Sequence, residues 1–221
     1  MPDEKYFDGS PALRVRDLWV GYGKKMIIRG ISFELPEREI LGICGLNGAG
    51  KSTLLKGLFG VVRPLRGEIK LGQTEIFGML PFQVQRLGMG YLLQGGRIFK
   101  SHTVLEHFRL LGLNLKKEDL YFQEVSDLFH RRAGLLSGGE KQILTLELSL
   151  QAAPKILLLD EPSAALSPNI AQRAFRAIEK FSKTQGASIL LVEQNVELAR
   201  QITTRELHLE DGQVSINLPI R

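Results

Sequence analysis

Short apolar runs broken by turn residues fill residues 15–44, and this pattern predicts several strands. Residues 39–44 form the clearest of these runs, a buried strand that leads directly into Gly45. From Lys51 the spacing of the apolar positions becomes helical, with Leu54, Leu55 and Leu58 on one face. The pattern therefore predicts a strand, a glycine-rich loop and a helix in direct succession.

Later runs extend the alternation of strands and helices. Residues 90–93, 156–159 and 188–192 are short apolar segments that predict strands, and the run 156–159 is wholly apolar, as expected for a strand buried on both faces. Residues 103–111 have amphipathic helical spacing, and we expect a second helix over residues 116–130. No internal repeat or low-complexity linker interrupts this organisation.

Composition adds loose bounds. The 221 residues suffice for one large domain or two small ones, and the net charge of +5 is typical of a solvated basic surface. Cys44 is the only cysteine, so an internal disulfide is excluded and a reducing compartment is expected. The apolar runs are too short to cross a bilayer, so any membrane role requires another subunit.

The segment from Gly45 to Ser52 has the spacing of a phosphate-binding loop. Its glycines allow successive backbone N–H groups to face one anion, and the helix that follows adds its positive end. We expect Lys51 to reach the β- and γ-phosphates, Ser52 to bind Mg²⁺ and Thr53 to support a phosphate. A chance glycine turn is the alternative, and the strand–loop–helix context disfavours it. The expected nucleotide-binding positions are Asn47, Gly48, Ala49, Gly50, Lys51, Ser52 and Thr53.

Two acids end the apolar run 156–159. Asp160 and Glu161 stand where an open α/β sheet binds its ligands, at the carboxyl end of a strand. One carboxylate can hold Mg²⁺ and the other can orient water, although their spacing alone does not assign these roles. A pair of solvated acids is the alternative that the upstream phosphate loop disfavours.

A second anion-binding helix end is predicted at Leu136–Glu140. Ser137 is suited to cap a helix, and Glu140 three residues later completes a capping box. A well-capped helix would explain these two residues alone. The adjacent Gly138 and Gly139 are not needed for capping, and they leave a backbone surface that a phosphate can approach closely.

Together with Gln94, which follows the run 89–93, these segments resemble the ATP-binding cassette (ABC) ATPases over almost the whole chain. The resemblance implies an α/β fold with a P-loop NTPase core: a mainly parallel sheet, an N-terminal antiparallel β layer and a small helical insert. It implies one domain over residues 1–221, with the insert at about residues 95–150. It also implies ATP hydrolysis that drives a membrane transporter from its cytoplasmic face.

Residue roles follow from the same resemblance. Asp160 is expected to hold Mg²⁺ together with Ser52 and Gln94, and Glu161 to activate the attacking water, which Gln94 also contacts. Tyr22 is expected to stack on adenine, although an ordinary turn tyrosine is the alternative. In this family two chains pack head to tail around two ATP molecules. Ser137, Gly138 and Gly139 are then expected to close over the γ-phosphate held by the partner.

One position departs from the common pattern. Most ABC ATPases have histidine where this chain has Gln194, a residue that can donate a hydrogen bond to the γ-phosphate but cannot be charged. The segment Val192–Asn195 resembles the subfamily that serves branched-chain amino-acid and urea uptake. Ser167, where most relatives have aspartate, and the segment Gly95–Phe99 are further shared features.

The resemblance implies two partners, a transmembrane permease and a second ABC ATPase subunit, and no nucleic acid. The permease is expected to dock in a cleft between the Gln94 loop and the helical insert, with Arg97, Ile98 and Phe99 near its rim. Phe99, Val104, Leu105 and Phe108 are candidate apolar contacts there or core residues. Two alternatives are a soluble ABC ATPase of the iron–sulfur assembly type and a catalytically weak cassette paired with a stronger one.

Overall fold

The computed structural model describes residues 11–95 and 98–219 of the chain. The strands, in chain order, are β1 (Leu13–Tyr22), β2 (Lys25–Leu35), β3 (Ile40–Cys44), β4 (Arg66–Leu71), β5 (Thr74–Glu75), β6 (Met89–Leu92), β7 (Ile156–Asp160), β8 (Ser188–Val192), β9 (Arg205–Glu210) and β10 (Gln213–Pro219). The α-helices are α1 (Lys51–Leu58), α2 (Pro81–Arg86), α3 (Val104–Leu110), α4 (Gly138–Gln151), α5 (Pro168–Gln185) and α6 (Val196–Arg200).

These strands form two sheets. The larger has the order β10-β9-β3-β8-β7-β6, and every neighbouring pair in it is parallel except β9 with β10. The smaller is antiparallel, with the order β2-β1-β4-β5. The predicted mainly parallel sheet and N-terminal antiparallel layer are both confirmed.

Hydrophobic cores lie on both faces of the larger sheet, and β7 contributes to both. Leu157 and Leu159 pack into the core that contains residues of α4 and α5. Ile156 and Leu158 pack into the other core, which contains residues of α1, β1 and β2. This division follows from the two-residue period of a strand, and it explains why the run carries no polar alternation.

The insert departs from the sequence prediction at one element. The helix predicted over residues 103–111 is present as α3, but the helix predicted over 116–130 is wrong. That segment forms two 3₁₀ turns, Lys117–Asp119 and Gln123–Leu128. Between them, the backbone N–H groups of Tyr121 and Phe122 donate to the buried Glu147 carboxylate at 3.2 and 2.8 Å. Because these donors are bonded to α4, they cannot continue a helical ladder.

Candidate nucleotide-binding site

The predicted site residues follow four neighbouring parallel strands. β3, β8, β7 and β6 lie side by side, and their carboxyl ends meet at one edge of the sheet. Gly45 follows β3, Glu161 follows β7, and Gln94 and Gln194 come two residues after β6 and β8. Sheet topology therefore brings together side chains that lie up to about 150 positions apart, at the edge where open α/β sheets bind ligands.

Two glycines of the phosphate loop are required by their surroundings. Gly45 has φ +153°, and a Cβ there would lie 2.2 Å from the Leu209 carbonyl oxygen. Gly50 has φ +107°, and a Cβ there would lie 2.9 Å from the Cδ1 of Ile28. α1 begins immediately afterwards at Lys51, so the backbone N–H groups of its first turn face the loop. This strand–loop–helix arrangement is the one the sequence predicted.

Lys51 is held inside the loop. Its side chain is 6% exposed, and Nζ donates to the carbonyl oxygens of Gly45 at 2.7 Å and Leu46 at 3.1 Å. A cleft of about 870 Å³ adjoins the loop. Its lining includes residues 44–49, among them Asn47, Gly48 and Ala49, together with Gln194 and residues 208–211.

Asp160 is fully buried, with both carboxylate oxygens hydrogen-bonded. The Ser52 hydroxyl donates to Oδ1 at 3.0 Å, and the Tyr91 hydroxyl donates to Oδ2 at 3.1 Å. Burial raises the pKa of Asp160, and the nearby Glu161 charge raises it further, while the Ser52 and Tyr91 hydrogen bonds oppose the shift. A buried carboxylate beside a hydroxyl suits Mg²⁺, which prefers oxygen ligands and would offset the burial of this charge.

Tyr91 is a site residue that the sequence analysis missed. Burial and the adjacent Asp160 raise its pKa, so its hydroxyl stays protonated and donates. Tyr91 pairs with Leu158 in the β6–β7 ladder, two residues before Asp160, which puts it on the Asp160 face of the sheet. A tyrosine in a short apolar strand beside the acid-bearing strand is the signal that could have identified it.

Each carboxylate oxygen of Glu161 accepts a hydrogen bond from a glutamine side chain. Gln94 Nε2 donates to Oε2 at 2.6 Å, and Gln194 Nε2 donates to Oε1 at 2.8 Å. The Glu161 backbone has φ +53°, an uncommon conformation for a non-glycine residue. Its N–H donates to the Val192 carbonyl at 2.9 Å, which ties this strained residue to the end of β8. The segments that follow the two strands flanking β7 thus supply both amides.

The segment Leu136–Glu140 caps α4 as predicted. Ser137 Oγ accepts from the Glu140 N–H at 3.3 Å, and the Glu140 carboxylate accepts from the Ser137 N–H at 2.7 Å. A Cβ on Gly139 would lie 3.4 Å from the Ala165 carbonyl oxygen, and one on Gly138 would lie 3.8 Å from the Ala165 Cβ. This helix end therefore lies against the segment that follows Glu161.

Gln142, also missed, joins α4 to the acid-bearing segment. Its side chain is 5% exposed, and Nε2 donates to the carbonyl oxygens of Glu161 at 3.3 Å and Pro162 at 3.0 Å. A glutamine two residues after a capping box is a weak signal that could have pointed to it.

The remaining predicted residues fall into three groups. Tyr22 ends β1 and is 49% exposed, and Thr53 lies in the first turn of α1. Gly96 and Arg97, from the predicted Gly95–Phe99 segment, lie outside the described residues. Among the docking candidates, Val104 and Phe108 are buried in the core, whereas Phe99 is 61% exposed and Leu105 is half-buried.

This arrangement defines the chain as a P-loop nucleoside triphosphatase. Residues 28–164 match the family described as ABC transporter, and the chain belongs to that family. It is 37% identical to the high-affinity branched-chain amino acid transport ATP-binding protein BraG of Pseudomonas aeruginosa, over 87% of this chain and 86% of BraG. It is 35% identical to the probable branched-chain amino acid transport ATP-binding protein LivF of Archaeoglobus fulgidus, over 93% and 91% of the two chains.

Solved structures confirm the fold. The ATP-binding subunit of an ABC transporter superposes with a TM-score of 0.82 at 24% identity, covering 94% of this chain and 90% of that one. A dimeric bacterial ABC transporter cassette superposes with a TM-score of 0.81 at 20% identity, covering 95% of this chain and 99% of that one. Family membership makes the chain an ATP-binding transporter subunit and an ATPase, which confirms the predicted family, fold class and activity.

Proposed function

We propose that this chain hydrolyses ATP for an importer of branched-chain amino acids. In this proposal it works at the cytoplasmic face of a membrane, bound to a permease and paired head to tail with a second ATPase subunit. The names of BraG and LivF support the substrate class. The observation that supports the chemistry most is the Glu161 carboxylate between Gln94 and Gln194, beside the buried Asp160.

In the proposed ground state, backbone N–H groups of the phosphate loop and the Lys51 ammonium bind the phosphates. Tyr22 stacks on adenine, and its exposed ring at the end of β1 is available for that contact. Ser52, Asp160 and Gln94 would hold Mg²⁺. The bound cation would neutralise charge on the phosphates and orient them for in-line attack.

Glu161 is the proposed base. Its carboxylate can accept a proton from water, and the amides of Gln94 and Gln194 hold it in one orientation. Both amides can also donate to a phosphate oxygen or contact the attacking water. Gln194 takes the place of the usual histidine, so in this proposal it stabilises the γ-phosphate by hydrogen bonding without a positive charge.

Two exposed leucines support the head-to-tail pair. Leu46, in the phosphate loop, is 83% exposed, and Leu135, just before the capped end of α4, is 73% exposed. An apolar residue beside each of two anion-binding helix ends suits a partner surface that brings the loop of one chain to the α4 end of the other. Ser137, Gly138 and Gly139 would then complete the partner's ATP site.

Hydrolysis is tested first with Glu161→Gln, which keeps the size of the side chain but removes its basicity. ATP binding should persist, while kcat falls about 10²- to 10⁴-fold.

Lys51→Ala tests nucleotide binding and should lose it. Glu37→Gln serves as a matched control for Glu161→Gln. Glu37 is exposed in the turn before β3, at the opposite end of that strand from the phosphate loop. Parental turnover by Glu161→Gln would reject the proposed base.

Subunit arrangement is tested by crosslinking. Leu46→Cys and Leu135→Cys are made separately in the Glu161→Gln background and mixed with Mg²⁺ and ATP before a short bis-maleimide is added. A head-to-tail pair should give a crosslinked dimer only in the mixture. A dimer from Leu46→Cys alone would instead indicate that the two phosphate loops face each other, and would contradict the proposed pair.

A further inference from the structure

Glu193 is a buried acid immediately after β8, between the strand and Gln194. Its side chain is 4% exposed. Oε1 accepts from the Ser163 backbone N–H at 2.8 Å, and Oε2 accepts from the backbone N–H groups of Gln194 at 3.1 Å and Asn195 at 3.5 Å. One carboxylate thus links the segment after β7 to the segment after β8.

These hydrogen bonds complete a closed ring of contacts that passes through Glu161. The chain runs from Glu161 through Pro162 to Ser163, whose N–H reaches the Glu193 carboxylate. From there the Gln194 backbone leads to its own side chain, and Gln194 Nε2 returns to Glu161 Oε1 at 2.8 Å. Every link is a covalent bond or a hydrogen bond between adjacent segments, so the position of Gln194 depends on the position of Ser163.

A carboxylate is well suited to this place because it accepts on both oxygens and donates on neither. A glutamine there would keep one carbonyl oxygen, but its amide nitrogen would face a backbone N–H and leave that donor without an acceptor. Hydrogen bonds to an ionised acceptor are also about twice as strong as neutral ones, which makes the carboxylate a firm anchor for the backbone.

We infer that Glu193 is a positioning residue for ATP hydrolysis. It fixes the backbone of Gln194 relative to the segment after Glu161, so that the Gln194 amide meets both the base and the γ-phosphate. Glu193 itself touches neither the nucleotide nor the water. This inference rests on the proposed function, because it gives Glu193 its effect through Gln194.

The test is a double-mutant cycle on the full chain, measuring kcat, KM for ATP and thermal midpoint. Glu193→Gln should lower kcat about 10-fold or more, since small misplacements at a reacting centre are costly, with KM close to the parent's. In the Gln194→Ala background the same substitution should change kcat by less than about 2-fold, because Gln194 has nothing left to position. Glu37→Gln again serves as the matched control.

Two results would overturn the inference. One is a loss of kcat from Glu193→Gln in the Gln194→Ala background that is as large as the loss in the parent background. The effect of Glu193 would then be independent of Gln194. The other is a parental kcat for Glu193→Gln. A different result would reject the proposed function itself: a parent chain that hydrolyses no ATP, or whose hydrolysis is unchanged by Glu161→Gln.

Discussion

At the scale of single residues, Asp160 combines two opposing demands. It must be ionised to hold Mg²⁺ in the proposed mechanism, yet it is fully buried, and burial raises its pKa. The hydroxyls of Ser52 and Tyr91 compensate only partly for the lost hydration. The site therefore sacrifices some folding stability for a charge positioned to bind a cation.

Asp160→Asn should stabilise the chain without Mg²⁺ or nucleotide, because it removes a buried charge while an amide can still bond to both hydroxyls. The unfolded chain ionises Asp160 more readily than the folded one, so ionisation opposes folding. The gain in folding stability of Asp160→Asn over the parent should vanish at a pH below the ordinary aspartate pKa of about 3.9. It should be complete at a pH above the raised pKa of Asp160 in the folded chain. Thermal melts across pH check this. A variant that melts below the parent at neutral pH would contradict it.

Gln194 supports a second prediction at this scale. Gln194→Ala should slow hydrolysis while ATP still binds, because the amide contacts Glu161 and is proposed to contact the γ-phosphate. Gln194→His should remain active and acquire a pH dependence near the imidazole pKa of about 6.5, absent from the parent. Profiles of kcat against pH for the three proteins check this. Equal rates for parent and Gln194→Ala would favour the weak-cassette alternative.

At the scale of elements, α4 contacts both the candidate site and the 3₁₀ turns of the insert. Its first turn lies against Ala165, and Gln142 donates to the backbone after β7. One turn further, Glu147 accepts from the Tyr121 and Phe122 N–H groups and from Gln151 Nε2. Burial raises the pKa of Glu147, and these hydrogen bonds lower it only in part. One helix therefore fixes two separate loops through buried polar side chains.

Glu147→Ala should destabilise the fold, because it leaves the buried Phe122 N–H without an acceptor and also frees that of Tyr121. Each unsatisfied buried donor costs about 1–3 kcal/mol. Glu147→Gln keeps one acceptor oxygen and should cost less. Chemical denaturation of the three proteins measures the difference. Equal stability of Glu147→Ala and the parent would show that these bonds do not hold the 3₁₀ turns in place.

Patterns in the sequence predicted the strands within residues 15–44, the strands β6, β7 and β8, and the strand–loop–helix succession at the phosphate loop, because these depend on local apolar runs and on glycine spacing. They did not predict β4, β5, β9 or β10. They failed over residues 116–130, where helical spacing is present but Glu147, more than twenty positions away, captures two backbone donors. The role of Tyr91 also depends on strand register, which only the folded sheet determines. Contacts between distant segments, rather than local preference, account for what sequence patterns missed.

At the scale of the whole molecule, the chain presents an exposed aromatic residue at the start of the insert. Phe99 is 61% exposed, and its backbone N–H donates to the buried His107 Nε2 at 3.0 Å, which fixes it at the start of the insert. Across the described ranges, the helices lack the length and apolar character needed to cross a bilayer.

Phe99→Asp should release the proposed permease while ATP binding by the isolated chain stays close to parental. Truncating a good interface anchor costs about 2 kcal/mol or more, and a buried charge adds to that. Phe82→Asp is the matched control, since Phe82 is 53% exposed on α2. Pull-downs from solubilised membranes compare the three proteins. If the parent recovers only soluble proteins, the assembly-factor alternative gains. Equal recovery of one permease by parent and Phe99→Asp would move the contact elsewhere.

The burial of β7 on both faces has a consequence for local opening. Its amides are covered by two cores and paired with β6 and β8, so they exchange with solvent only when the larger sheet comes apart. The 3₁₀ turns of the insert are held by the Glu147 hydrogen bonds and by Phe122 and Val125 in one core, but they have no strand pairing, so we expect them to open at lower free energy. Native-state hydrogen exchange should therefore be slowest in β7 and faster in the 3₁₀ turns. Fluctuations of these turns would leave the two acids in place.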